Sequence, residues 1–557
     1  MKNRLLFAFF LTLVVAGLLH TEAHVQDTTG EIDKIFSSVK PTEPGCSVAA
    51  SQNGKQVVNR AYGVADLERN VAISTETVFD AGSVRKQFVA AAILLLVEEG
   101  KLSLADDVRK HIPQLPDYGH KITINHLLTH TSGIRDWQPL LNLAGGDPDA
   151  MTMILRQREL NFVPGDEWSY SNSNYVLLPE IVARVTGMPF SEFARKRIFE
   201  PLGMKSTTHP EDPLRLIKNR AIAYSKDARG WKMDMYLGND RGGTGGLFTT
   251  AADLVTWNDA LMNNRLGAFV TQKLQEPATL NNGRKLSYAR GLQVEPFRRG
   301  GQLIWHSGGA AGYSTIAARF TEHRLSVAIM CNKDGGARPE YSGRIVDLFL
   351  PPNAPQTNAP AANVANTGSP AVAAGDLSGR AGLFFDEKTG QPLQLAAANN
   401  TLAIAGAGPL VALSADRFRN QRPRLFFMSE AEFELQFLSA DQIEIKTKDG
   451  IVTRYRRAQP YAPTPDDLKA FAGRFHSDEL RAVFEFTPDK GSLISRVNDM
   501  PGNAVEIKPV DRDTFQLAGV IIRFRRDKSG KVIGLDYTNP VLRKAKFTRM
   551  NGDTRLN

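Results

Sequence analysis

Ser83 and Lys86 stand three residues apart in the stretch FDAGSVRKQFVAAAILLLVEEGKLSL, residues 79–104. Phe88 to Val97 is apolar on every side, the mark of a buried helix. Residues one turn apart share a helix face, so the hydroxyl and the amine face each other. An ammonium buried without partners is destabilised, and its pKa falls. A lysine depressed in this way accepts a proton at neutral pH. A helix that begins at Ser83 and is closed by Gly100 also supplies orphan N–H groups and a positive dipole end, which favour an oxyanion beside the serine. The chemistry that fits is attack by a serine nucleophile with lysine as its base. The same pair alone also fits an N-cap serine and a lysine reaching out of a half-exposed turn.

Two further stretches could join it. In WSYSNSNY, residues 168–175, Tyr170 and Asn172 alternate on an extended segment ahead of a helix over 175–185 and point to one side. A phenol beside a lysine can share its proton, and an amide can hold a substrate carbonyl. Taken alone, this is also a polar turn before a helix. WHSGG, residues 305–309, ends a strand in His306, Ser307, Gly308 and Gly309, where missing side chains let a substrate backbone approach. Taken alone, it is also a bulge or strand-end turn. His126 and His130 have i,i+4 metal spacing but lack the glutamate of H-E-x-x-H, so no metal is expected. RGGTGG at 241–246 lacks the Gly-Lys-Ser/Thr of a phosphate loop, and no G-x-S-x-G occurs. No cofactor is expected.

The positioning elements can be read around these residues. PGCSVAASQNGKQVVNRAYG, residues 44–63, is a hairpin turning at Asn53-Gly54. Residues 302–332 are strand-like, and most of 105–300 is helical pattern and loop, with a helix opening at Thr250. Strands from both ends of this first part therefore build one sheet with helices packed on it. Residues 351–375 are rich in Pro, Ala and Asn and read as a linker. Beyond them come short alternating runs, many turns and few helix patterns. Asp376-Leu377, Ala381-Gly382, Phe384, Asp416, Phe418 and Tyr455-Arg-Arg457 echo Asp467-Leu468, Ala472-Gly473, Phe475, Asp513, Phe515 and Phe547-Thr-Arg549. The echo implies two copies of one small antiparallel barrel.

The 557 residues are 42% hydrophobic and 23% charged, enough for several domains with a large core. A net charge of +9 without a basic block reads as solvation, and no nucleic-acid partner is expected. Lys2 and Arg4, the apolar run from Leu5 to Leu19 and Thr21-Glu22-Ala23 form a secretory signal peptide by pattern. Export to a bacterial periplasm or beyond, with no membrane span after signal removal, is the expectation. Cys46 and Cys331 lie in strand-like runs, and either a disulfide or two buried thiols fits them.

The three stretches, together with GSVRKQF, ITINHLLTHTSG, YSNSNYVLLPEIVARVTG, PLGMKST and GGLFTTAADL, resemble in order and spacing the serine β-lactamase and penicillin-binding-protein superfamily. The resemblance is to its class C-like branch, which holds D-Ala-D-Ala carboxypeptidases, D-aminopeptidases and related esterases, and it covers roughly residues 30–350. It implies an α/β fold: a β-lactamase-like antiparallel sheet with a helical subdomain, followed by two small all-β domains. The expected organisation is a signal peptide at 1–23, a serine hydrolase domain at 27–350, the linker at 351–375, and β domains at 376–459 and 466–550. The resemblance implies that Ser83 is acylated and that Lys86 and Tyr170 share the acid/base work. Asn172, His306, Ser307 and Gly308 would contact substrate, and the N–H groups of Ser83 and Gly309 would form the oxyanion hole. It also places the strands of Cys46 and Cys331 side by side and antiparallel, which favours a disulfide.

His306 stands where β-lactamases usually carry lysine, and histidine is mostly neutral at pH 7. That leans away from β-lactam hydrolysis toward a D-amino-acid-directed peptidase or carboxypeptidase with a small, even peptidoglycan-derived, peptide or ester substrate. A small-ester esterase, a weak β-lactamase and a non-catalytic peptidoglycan- or partner-binding protein are the alternatives. Oligomeric state is not legible.

Overall fold

The computed structural model describes residues 28, 30–141, 143–146, 148–212, 215–234, 246–350, 374–398, 401–405, 408–420, 433–447, 450–498, 504–517, 519–539 and 542–550. The expected signal peptide, residues 351–373 of the expected linker and residues 241–245 of the glycine-rich loop lie outside the described residues.

The hairpin forms β1 (Cys46–Gln52) and β2 (Lys55–Tyr62). Asn53 and Gly54 both have positive φ, 54° and 77°, as a tight right-twisted hairpin turn requires. The nucleophile run is a 3₁₀ turn, Gly82–Arg85, followed by α1 (Lys86–Glu98). The α-helix therefore starts at Lys86, not Ser83, and Ser83 sits in the tighter turn ahead of it. Next come α2 (Asn172–Thr186) and α3 (Ala251–Met262), the latter capped by Thr250, whose hydroxyl accepts from Asp253 N. The strands β3 (Gln293–Pro296), β4 (Gln302–Ala310), β5 (Tyr313–Phe320) and β6 (Leu325–Cys331) complete an antiparallel sheet in the order β2-β1-β6-β5-β4-β3. Every residue of β5 and β6 is buried, because helices cover both faces of the sheet. One face packs on α1, α3 and the helical middle; the other packs on Ile32, Phe36, Ile345 and Val346.

Cys46 lies directly opposite Cys331 in the β1–β6 register, and their Sγ atoms are bonded. The bridge closes a loop of 285 residues. Cys46→Ser is expected to lower stability by about 2–5 kcal/mol, since the open chain gains unfolded-state freedom. Urea unfolding measures the loss, and two free thiols by mass under non-reducing conditions would refute the bridge.

The C-terminal part forms two closed eight-stranded barrels of antiparallel strands, spanning Gly382–Arg457 and Gly473–Arg549. Each is entered through a seven-residue helix, Ala374–Arg380 and Pro465–Phe471. Neither helix was expected, and the first begins inside the stretch read as linker. The repeated positions have matching jobs. Phe384 and Phe475 are fully buried, as are Phe418 and Phe515 to within 1%. Arg457 donates to Ala381 O (2.7 Å) over the Phe384 ring, and Arg549 to Ala470 O (2.8 Å) and Ala472 O (2.5 Å) over the Phe475 ring. Each arginine thus satisfies carbonyls at the end of the entry helix while lying over a buried phenylalanine of its barrel. The second barrel shares one apolar core with the helical part of the first domain, whereas the first barrel has a core of its own.

Candidate active site

Ser83, Lys86, Tyr170, Asn172 and His306 converge where the 3₁₀ turn, the start of α2 and β4 meet. Lys86 Nζ donates to Ser83 Oγ (3.0 Å) and to Asn172 Oδ1 (2.9 Å), and lies 4.7 Å from the centre of the Tyr170 ring. The Tyr170 hydroxyl hydrogen-bonds Ser83. Asn172 is the first residue of α2, not part of an extended strand: the helix starts three residues ahead of its expected start at Tyr175. Ser171, the residue before the helix, keeps extended backbone angles and separates Tyr170 from Asn172.

The electrostatics follow from burial. Lys86 is 3% exposed, and desolvation pulls its pKa from 10.5 to about 7, helped by the Arg85 charge and opposed by Asp136. Burial raises the Tyr170 phenol above its ordinary value, so it stays protonated. Near neutral pH the amine can take the Ser83 proton, and the phenol can relay one to a leaving group.

His306 is 6% exposed, and burial, then the Lys86 charge, pull its pKa to about 4. Its Nδ1 meets Ser307 O (2.5 Å) and its Nε2 meets the Tyr288 hydroxyl (3.1 Å). A carbonyl can only accept, so Nδ1 carries the proton and Nε2 accepts from Tyr288. The ring is neutral, and both nitrogens are taken.

The two glycines differ. A Cβ on Gly308 would fall 2.0 Å from Ala81 O and 3.3 Å from Ser83 N, so this position faces the nucleophile turn and not the substrate. A Cβ on Gly309 would meet nothing within 4 Å, so Gly309 is the open one. Gly309 N lies beside Gly82, where a Cβ would come within 2.7 Å of it. The Ser83 and Gly309 amides are thus neighbours across a backbone-on-backbone contact, the place where two donors can serve one oxyanion.

Three participants, Asp136, Gln138 and Tyr288, had not been singled out. Asp136 Oδ2 accepts from both Asn172 N and Asn172 Nδ2 (2.9 Å each), and Gln138 Oε1 accepts from Asn172 Nδ2 (3.0 Å). These bonds leave the Asn172 Oδ1 atom as the one turned to Lys86. Tyr288 fixes His306. His130, weighed only as half of a metal pair, packs against Tyr170 with ring centres 4.3 Å apart and planes tilted by 34°, and burial holds it well below its ordinary pKa. His126 is instead spent in a capping box with Thr123, and no metal-binding cluster occurs among the described residues. The one usable signal was proximity: Asp136 and His130 flank the Thr-Ser-Gly of ITINHLLTHTSG, whereas Tyr288 carries no local mark.

Residues 32–349 match the protein family described as Beta-lactamase. The D-aminopeptidase of Brucella anthropi is 26% identical over 542 residues, covering 91% of this chain and 95% of its own. Penicillin-binding protein 4* of Bacillus subtilis (strain 168) is 29% identical over 313 residues, covering 52% of this chain and 68% of its own. Among solved structures, the octameric penicillin-binding protein homologue from Pyrococcus abyssi superposes with a TM-score of 0.52 at 23% identity, covering 78% of this chain and 100% of its own.

Proposed function

The chain belongs to the Beta-lactamase family and is a serine hydrolase of the peptidase type, and from that premise we propose that it is exported and cleaves an amide bond next to a D-amino acid through an acyl-Ser83 intermediate. Lys86 is the base toward Ser83, Tyr170 passes the proton to the leaving amine, Asn172 orients Lys86 and the substrate amide, and the Ser83 and Gly309 amides hold the oxyanion.

One observation carries the choice of substrate. The His306 ring is neutral with both nitrogens engaged, so the position offers no cation to a substrate carboxylate. A substrate whose recognition rests on a terminal carboxylate is therefore poorly served, and an amide or peptide read from its amino side is better served. The alignment with a D-aminopeptidase, which runs through both barrels as well as the first domain, supports the same reading.

The test is intact mass of wild type and Ser83→Ala after a fluorophosphonate and, separately, a penicillin, with turnover of D- and L-alanine p-nitroanilide alongside. The expected result is a Ser83-dependent fluorophosphonate adduct, a slow or long-lived penicillin adduct, and turnover of the D isomer over the L. Rapid penicillin turnover would overturn the reading in favour of a β-lactamase. No adduct with either reagent would favour a binding protein.

A further inference from the structure

Arg135 is 1% exposed, although it is one of the most strongly hydrated side chains. Its Nη1 donates to both carboxylate oxygens of Glu479 (3.0 and 3.1 Å), and its Nη2 donates to Arg543 O (3.0 Å). Glu479 lies in the turn between the first two strands of the second barrel and is itself 8% exposed. The two residues are 344 positions apart. The same turn, together with Asn498 just past the barrel's third strand, also holds Leu143 to Gly145. Gly145 N donates to Leu480 O (3.1 Å), a Cβ on Gly145 would fall 2.0 Å from Arg481 O, and Asn498 Nδ2 reaches Leu143 O (3.1 Å) and Ala144 O (3.2 Å).

The residues that Glu479 anchors through Arg135 are the ones that aim Asn172. Arg135 O accepts from Ser173 Oγ (2.7 Å), and Ser173 Oγ accepts from Trp137 N (3.0 Å). Between them sits Asp136, whose Oδ2 takes both Asn172 donors. A continuous series therefore runs Glu479, Arg135, Asp136, Asn172, Lys86, each member buried or bonded to the next. Arg135 Nη2 also reaches the half-exposed Glu159 (3.4 Å), so removing Glu479 takes away the buried, two-pronged partner and leaves the guanidinium, one residue from Asp136, on a single long and solvent-facing ion pair.

We propose that the second barrel completes the active site: Glu479 is a positioning residue that, through Arg135 and Asp136, holds Asn172 against Lys86. This rests on the acyl-Ser83 reading for its consequence in turnover, but the geometry it asserts is independent of any reaction. Without Glu479 the Arg135 Nη1 donors lose their buried carboxylate and draw the Asp136 carboxylate toward them, Asn172 loses its fixed orientation, and Lys86 loses both an acceptor and the nearby negative charge. The other titratable groups around Lys86, namely Arg85 on its own turn and His130, Tyr170, Tyr175 and His306 from the elements packed on it, keep their places.

The experiment uses the full chain and the variants Glu479→Ala and Glu479→Gln. Competitive acetylation with trace acetic anhydride, mapped by mass, reads the titration of Lys86 without any turnover. Fluorophosphonate labelling reads Ser83 on the same samples. Expected for Glu479→Ala are Lys86 titrating at lower pH than in wild type and Ser83 labelling slowed by about 10- to 100-fold, the effect of misplacing a catalytic group by about 1 Å. Glu479→Gln, which keeps an acceptor for Arg135, is expected to fall between the two and carries the measurement if the alanine variant does not fold. Unchanged Lys86 titration in a folded variant overturns the proposal. A wild type with no Ser83 adduct defeats the enzymatic reading instead, and the Lys86 titration still decides this one.

Discussion

Lys86→Met is expected to slow acylation of Ser83 by about a thousandfold and, at the same time, to make the protein more stable. The first effect is the loss of a positioned base, which contributes on the order of 10²–10⁴ in rate. Lys86 Nζ touches both Ser83 Oγ and Asn172 Oδ1, and methionine replaces its length but not its proton chemistry. In wild type the labelling rate should rise with pH through about 7, because the neutral amine is the working form and burial has brought its pKa there. The variant should lose that limb along with the rate. Labelling at wild-type speed would remove Lys86 from the mechanism.

The second effect is the same burial seen from the side of folding. The folded pKa, about 7, lies below the unfolded value of 10.5. Between those values the unfolded chain holds a proton that the folded chain does not, so stability from this group rises with pH across that window. Below it the penalty is at its full size, on the order of 4–5 kcal/mol. Methionine relieves the penalty and forgoes two hydrogen bonds, so the net gain at pH 7 is expected to be about 1–3 kcal/mol. It should shrink toward pH 10.5, where wild-type lysine is neutral in the folded state and only half charged in the unfolded one. Urea unfolding of both proteins at the two pH values measures it, and a less stable variant at pH 7 would mean that Lys86 is held charged by its neighbours.

What the sequence made legible was local. The one-turn spacing of Ser83 and Lys86, the Asn53-Gly54 turn, the Thr250 cap and the strands β5 and β6 each depend on residues close in the chain. The barrel repeat was also legible, because buried phenylalanines and a ring-covering arginine recur at matched positions. The entry helices were missed because seven residues hold too few turns for a periodic pattern to stand out. The start of α2 was missed because Ser171 makes no side-chain cap bond, so no capping pattern marks it. Tyr288 and Glu479 were invisible for a different reason. Each acts on a partner fixed only by tertiary packing, and a carboxylate or phenol on a loop looks like any solvated one until its neighbours are known. Gly308 was expected to let a substrate backbone approach, but the backbone against it is the protein's own, at Ala81.

That last difference yields a prediction with a built-in control. β4 touches the nucleophile turn with no side chain between them: the Gly308 position is closed by Ala81 O at 2.0 Å and the Gly82 position by Gly309 N at 2.7 Å. Gly308→Ala must push the strand and the turn apart, since backbone on the far side of the contact cannot rotate away as a side chain can. The expected result is a loss of about 1–3 kcal/mol of stability from overpacking and acylation slowed by roughly 100-fold, as the Ser83 and Gly309 amides no longer converge on one oxygen. Gly309→Ala has room for its methyl and is expected to unfold at the wild-type urea midpoint. Its methyl enters the open side, so any loss of rate there should fall on bulky acyl groups and spare small ones. If Gly308→Ala acylated at the wild-type rate, the two amides would not need this contact to work together, and the oxyanion site would have to be sought elsewhere along β4.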